Sequence, residues 1–317
     1  MSLSTQDKAD ILGLMTKITS IPSIIGSSVI LFRFLKSEAA VKRNLSQRII
    51  VYMSILDVIC SINFFIGPWI FFSSTLCTMQ GFIVQLCVSA VFWNMAHTTN
   101  ILLRVVLGVS VDKANRLEPL YHLICWGIPV VGGAVGIFRN KIVPVGAWCW
   151  FAASELDLRF GTFYGWVFFA ILYNIFIAIV VMVYISKRTN LSGFKLETKT
   201  VKATKNQLYY VAAFLVTFGP SSFVRILQSA TGQIIFELQI IQALTLPMQG
   251  MLNCIIFLSL QKGKSSRLSS LSSTKAKQSQ ENLMEKSNNT INTTTDATQS
   301  AFKRVGHAES TVNDFEL

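Results

Sequence analysis

Few residues in this chain carry side chains able to do chemistry, and most of them stand among apolar neighbours. Cys77 opens a long apolar run, and Cys149 sits between Trp148 and Trp150 in the stretch Gly146–Phe151, GAWCWF. Two such thiols either remain free or, in an oxidising compartment, join as a disulfide. Asp57 and Asn253 are an acid and an amide inside apolar runs, readable as a switchable polar pair or as one structurally hydrogen-bonded carboxyl. Asn94, His97, Thr98 and Asn100 make a polar patch with residues spaced for one helix face, suited to a pocket wall or to plain interhelical hydrogen bonding. Arg104 and Arg225 are guanidinium groups near the ends of apolar runs, where they hold a partner or an anion, or reach for lipid headgroups. The sequence has no His-Glu-x-x-His, no Gly-rich phosphate loop and no plausible Ser/His/Asp set, so enzyme chemistry has no support. With three histidines in the chain, His97 has little company for a metal, and neither metal nor cofactor is expected.

The elements that must position these groups follow from composition. The chain is 51% hydrophobic and 14% charged, against roughly 25% charged in soluble domains. The net charge of +12 is concentrated between apolar stretches, which argues against a nucleic-acid partner and for a membrane with its lipids. A bilayer core needs about 20 apolar helical residues. Seven segments qualify: Ile11–Leu35, Ile49–Phe72, Cys77–Val109, Tyr121–Phe138, Phe160–Ile185, Gln207–Ser229 and Leu238–Leu260. Alternating strands of a membrane barrel are absent, so the fold class is an all-α integral membrane protein, a seven-transmembrane helix bundle. The third segment exceeds a span and is expected to tilt or project. The first lacks the flanks of a cleavable signal and reads as a membrane helix.

Lys and Arg set the orientation. Lys36, Lys42, Arg43 and Arg48, then Lys113 and Arg116, then the six from Lys187 to Lys205, then Lys262 to Lys277, occupy one set of connections. The opposite set holds Lys8, Lys17, Arg139, Lys141 and Arg159. The heavier set is cytosolic, which puts a short N-terminus (1–10) outside, the bundle at 11–260, and a C-terminal tail at 261–317 inside. The tail is polar and rich in Ser and Thr, and reads as disordered. With this topology Cys77 and Cys149 both face outward, and a bridge between them ties the second outer loop down as a lid flanked by Trp148 and Trp150. Cys60, Cys87, Cys125 and Cys254 lie inside apolar helices and read as small buried hydrophobes. Pro220 and Pro247 remove backbone donors within the sixth and seventh segments, where kinks are expected.

CTMQGFIVQ (77–85), YHLICWGIPVV (121–131), GAWCWF and LPMQGMLNCIIF (246–257), together with SIIGSSVILFRF (23–34), resemble the cyclic-AMP-receptor-like class of G-protein-coupled receptors, with some features shared by the secretin/adhesion class. The resemblance covers the seven helices and leaves out the tail. It implies an extracellular small-molecule or peptide ligand, a heterotrimeric G protein as cytosolic partner, a plasma-membrane location and the Cys77–Cys149 bridge. A secondary transporter is the rival class, but no internal repeat and few intramembrane charges are visible. On the receptor reading Trp148, Trp150, Asn94, His97 and Arg225 are candidates for the ligand pocket. Asp57, Arg104, Asn253, Pro220, Pro247, Lys199, Lys202 and Lys205 are candidates for switching or coupling. Ser269, Ser270, Ser272 and Ser273 follow Arg267 in a pattern that a basophilic kinase reads, and once phosphorylated they suit an arrestin-like partner.

Overall fold

The computed structural model describes residues 4–70, 72–145, 148–191, 198–231 and 235–260. Some side chains within these ranges, including those of Lys199, Lys202 and Arg225, lie outside the described set, as do Ser269, Ser270, Ser272, Ser273 and the whole tail. Among the described residues, seven helical spans are long and apolar enough to cross a membrane: Asp7–Leu35, Leu45–Ile66, Ser74–Val105, Val111–Phe138, Leu156–Arg188, Gln207–Val224 and Phe236–Leu260. They are called spans one to seven below. The third ends at Val105, four residues short of the expected Val109, and the helix holding span one begins at Thr5.

Local chemistry sets the ends. Ser4 and Asp7 form a reciprocal capping box, each side chain accepting from the other's backbone N–H at 3.1 Å. Asn44 caps span two by accepting from the Ser46 amide at 3.1 Å. Span three is broken between Leu86 and Ser89. There the amides of Cys87, Val88, Ala90 and Val91 all bond three residues back, which tightens the turn. Span five opens through a wide π turn at Phe160–Tyr164 before its regular helix, Gly165–Leu191. Pro247 sits in a 3₁₀ turn, Leu246–Met248, that interrupts span seven, in accord with its missing donor. Pro220, by contrast, lies inside an uninterrupted helix, Thr198–Thr231.

Lipid is the outer solvent of such a bundle, so its surface inverts the soluble pattern. Leu123, Val131, Leu172, Phe176 and Phe223 are exposed on the spans. Ser20, Ser23, Ser27, Asn94, His97, Asn174 and Thr217 are buried. Span three is central, packing on spans two, four, five and six. Trp93 of span three is fully buried within a core that includes Met53, Leu56, Val91, Ala170 and Phe214.

Span one packs on spans two and seven. A Cβ added at Gly250 would lie 2.1 Å from Ser27 Oγ and 2.6 Å from Ser23 Oγ, and the Gly250 amide donates to Ser23 Oγ at 3.1 Å. In lipid, close backbone approach through small residues replaces hydrophobic association as the glue between helices. Gly250→Ala is therefore expected to destabilise the bundle by about 1–3 kcal/mol, the cost of overpacking. The check is the melting temperature of the detergent-purified protein, which should fall, whereas Gly219→Ala, where an added Cβ meets nothing within 4 Å, should leave it unchanged.

Candidate functional site

Between spans four and five the outer loop forms a two-stranded antiparallel hairpin, β1 (Ile142–Val145) with β2 (Trp148–Phe151). The β-branched IVPV and aromatic WCWF runs suit strands, a signal that reading the loop only as a lid passes over. Cys149 is fully buried and bonded to Cys77 of span three, with their Cα atoms 5.3 Å apart. Gln80, one turn below Cys77, reinforces the bridge. Its Oε1 accepts from the Cys149 amide at 2.8 Å, and its Nε2 donates to the carbonyls of Gly67 (3.0 Å) and Asn63 (3.3 Å). Arg159 donates from Nε and Nη2 to the Phe151 carbonyl (3.1 and 2.6 Å) and lies over the Trp150 ring at 5.0 Å.

The other basic residues of this loop are engaged as well. Arg139 pairs with Asp157 at 2.7 Å and Glu155 at 3.4 Å, and Lys141 pairs with Glu155 at 2.9 Å. The hydrogen bond it donates to Asp157 holds the Arg139 guanidinium above its ordinary pKa. Arg139, Lys141 and Arg159 are thus each held by oxygens of the loop itself.

Below the hairpin a cavity enters the bundle. Trp148 and Trp150 line it from the hairpin, Phe64 from span two, Phe163 and Tyr164 from the π turn, and Phe218 from span six. Ser221, Gln242 and Gln249 add polar groups from spans six and seven. Asp57 lies at its inner end, seven residues or about 10 Å along span two from Phe64. Asn253 donates to Asp57 Oδ2 at 3.0 Å, joining spans two and seven at the cavity floor. Trp148, Trp150 and Asp57 are therefore brought together, whereas Asn94 and His97 do not line this cavity. Both are fully buried in span three, and the His97 ring meets Tyr210 of span six edge-on, with centroids 5.7 Å apart.

The cavity wall also corrects the reading of Cys60 and Cys87 as buried hydrophobes. They are bonded to each other, Cα–Cα 5.9 Å, joining span two to span three at the break in the latter. Cys125 and Cys254 are free and buried, as expected. Assigning thiols inside apolar helices as hydrophobes ignored pairing across helices, and no sequence spacing shows which helix faces meet.

At the cytosolic end, Arg48 belongs to the first turn of span two rather than to a loop. Its Nε and Nη2 grip both carboxylate oxygens of Glu118 on span four at 2.7 and 2.6 Å, and the Tyr52 hydroxyl donates to the same carboxylate at 2.8 Å. Asn100 donates to Ser46 Oγ at 2.8 Å, and Arg104 reaches Asn44 Oδ1 at 3.4 Å. Thr98 donates to Asn174 of span five. The ends of spans two, three and four are thus tied by side chains, Arg104 among them, while Lys205 is exposed nearby on the chain leading into span six. The one signal of the Arg48–Glu118 pair in the sequence is opposite charges at matching ends of spans two and four, and a count of basic residues for orientation does not show it.

Comparison with known proteins gives four matches. The family model described as "Slime mold cyclic AMP receptor" matches residues 3–258. Cyclic AMP receptor-like protein A of Dictyostelium discoideum is 25% identical over 245 residues, 75% of this chain and 62% of its own length. G-protein coupled receptor 1 of Arabidopsis thaliana is 28% identical over 177 residues, covering 54% of this chain and 52% of that one. The chain thus spans less than two thirds of the length of these curated relatives. In three dimensions it is similar to squid rhodopsin, with a TM-score of 0.62 over 81% of this chain and 83% of the other at 15% identity, a likeness of fold.

The hairpin anchor leads to a double-substitution test. Cys77→Ser and Cys149→Ser should each lower surface expression to a similar degree, with a stability loss of about 2–4 kcal/mol. Flow cytometry of intact cells should find the double variant no worse than either single one; additive losses would mean that the two thiols act separately.

Proposed function

Because the chain belongs to the slime mold cyclic AMP receptor family, we propose that it is a G-protein-coupled receptor of the plasma membrane, taking an extracellular ligand in the outer cavity and acting on a heterotrimeric G protein. The observation that carries this reading is the path of span two. One face of it lines the cavity at Phe64, Cys60 and Asp57, while its other end, at Arg48 and Tyr52, is tied to span four beside the cytosolic connections. A ligand that changes the Asp57–Asn253 contact acts on the same helix whose inner end holds Glu118. A conformational change needs different ligand contacts in two states, and Asp57–Asn253 is the contact available for it. The alternative of a transporter without coupling is separated by one comparison in sealed vesicles. Ligand-stimulated guanine-nucleotide exchange on added G protein supports the receptor; ligand uptake without exchange contradicts it.

The connection between spans five and six carries Lys199, Lys202 and Lys205 ahead of span six. Beyond fixing orientation, these lysines supply a basic surface for the G protein. Replacing all three with Gln should lower nucleotide exchange several-fold at equal surface level; unchanged exchange would leave them a topological role only.

The tail from Gln261 holds the acceptors Ser269, Ser270, Ser272 and Ser273 beyond Arg267. Each phosphate adds about −1.5 to −2 charge, which reverses the sign of this basic strip, frees it from anionic lipid and presents a phosphate cluster to an arrestin-like protein. Truncation after Lys264 should slow desensitisation and internalisation under sustained stimulation. If the truncated chain desensitises as fast as the intact one, the tail has no such role.

A further inference from the structure

The cavity that serves as the ligand site on the receptor reading has a chemical character of its own. Asp57 is the one acidic side chain among the described residues that line it. It is 5% exposed, and Asn253, the residue that donates to it, is 1% exposed. Spending its amide N–H on Asp57 Oδ2 leaves Asn253 Oδ1 buried with no hydrogen-bond partner. The floor therefore offers the acceptors of Asp57, while the unpartnered Asn253 amide oxygen lies behind it and is not among the lining residues. A buried acceptor without a donor is costly, and a buried carboxylate without a counter-charge more so. The Asp57 deficit, which faces the cavity, calls for a ligand group that donates hydrogen bonds and is positively charged.

The walls agree with the floor. Trp148, Trp150, Phe163 and Tyr164 present aromatic rings to the cavity, and aromatic faces attract cations and pack against apolar bodies. Among the described residues, the three cations of the hairpin loop are already held. Arg159 is turned onto the Phe151 carbonyl and the Trp150 ring, and Arg139 and Lys141 are paired with Asp157 and Glu155. A phosphate entering this cavity would lose its hydration, meet a carboxylate, and find among the described lining residues no basic side chain to receive it. An ammonium group has the complementary inventory, three donors and no acceptor.

We propose that this cavity takes a protonated amine carried on an aromatic or apolar body, with the ammonium at Asp57 and the body among the aromatic residues below the hairpin. The site thereby disfavours phosphate-bearing ligands such as cyclic nucleotides, although relatives of this chain are named cyclic AMP receptors. The proposal rests on the receptor reading only for calling the cavity the signalling site; binding itself does not require a G protein.

The test uses the purified full-length chain in lipid nanodiscs and probes that share one body but differ in charge: phenethylamine, 2-phenylethanol and phenylacetate, with cyclic AMP as the fourth. Thermal stabilisation as a function of probe concentration should rank the amine above the alcohol and the alcohol above the acid, with cyclic AMP ineffective. In Asp57→Asn the amine should fall to the level of the alcohol, a loss on the order of tenfold or more in affinity for one charge-assisted contact. Should that variant fail to fold, the ranking on the unaltered receptor decides alone. An acid or cyclic AMP that stabilises as well as the amine, or an amine effect that persists in folded Asp57→Asn, overturns the proposal. Failure of nucleotide exchange with the ranking intact would instead remove the receptor reading and leave the ligand class standing.

Discussion

Within a bilayer no water is at hand to satisfy a polar group, and this constraint organises the bundle. The polar residues buried in the spans must find each other or the backbone. Thr98 turns to Asn174, Thr217 to Gln249, Asn100 to Ser46, Asn253 to Asp57, and the Gly250 amide to Ser23. Each of these contacts joins two different spans. The polar pairs fix which faces meet, and small residues such as Gly250 let the backbones approach closely enough for the pairs to form. Apolar area adds little here, because lipid tails solvate Leu as well as another helix does. The groups left without partners, Asn253 Oδ1 and the Asn94 amide among them, then stand out as departures from the rule.

The hairpin obeys a different solvent. At the outer face water returns, and the loop between spans four and five is held by covalent and hydrogen-bond anchors. Cys77 fixes Cys149, Gln80 fixes the same residue's amide, and Arg159 fixes the Phe151 carbonyl. These anchors set Trp148 and Trp150 over the cavity rather than in the bilayer interface. Within GAWCWF the cysteine positions the tryptophans. The same logic recurs deeper, where Cys60–Cys87 joins spans two and three beside Asp57. Span two is thus clamped to neighbours at three depths: to span three through that bridge, to span seven through Asp57, and to span four through Arg48.

Much of this was legible in the sequence because the bilayer imposes a strong and simple code. Apolar length gave the seven spans, basic connections gave their direction, and the direction placed Cys77 and Cys149 on one side. Asp57 and Asn253 could be named together because polar residues in apolar runs are few. The sequence was silent where the outcome depends on helix rotation. Cys60 and Cys87 looked like any buried thiols until the facing sides of spans two and three were known. Asn94 and His97 carried the right chemistry for a pocket wall but lie on span three away from the cavity. Arg48 read as a loop charge because an orientation count does not ask where the helix begins. The break at Cys87–Val88 carries no Pro or Gly, and Gly161 and Gly165 around the π turn at Phe160–Tyr164 do not by themselves specify a π turn.

The central claim is that two covalent clamps, one at the hairpin and one inside the bundle, give the outer cavity its shape. Its most direct test is peptide mapping of the protein extracted from native membranes after blocking free thiols under non-reducing conditions. The account predicts linked peptides for Cys77 with Cys149 and for Cys60 with Cys87, and blocked free thiols at Cys125 and Cys254. Recovery of Cys77 and Cys149 as blocked free thiols in the folded protein would contradict it.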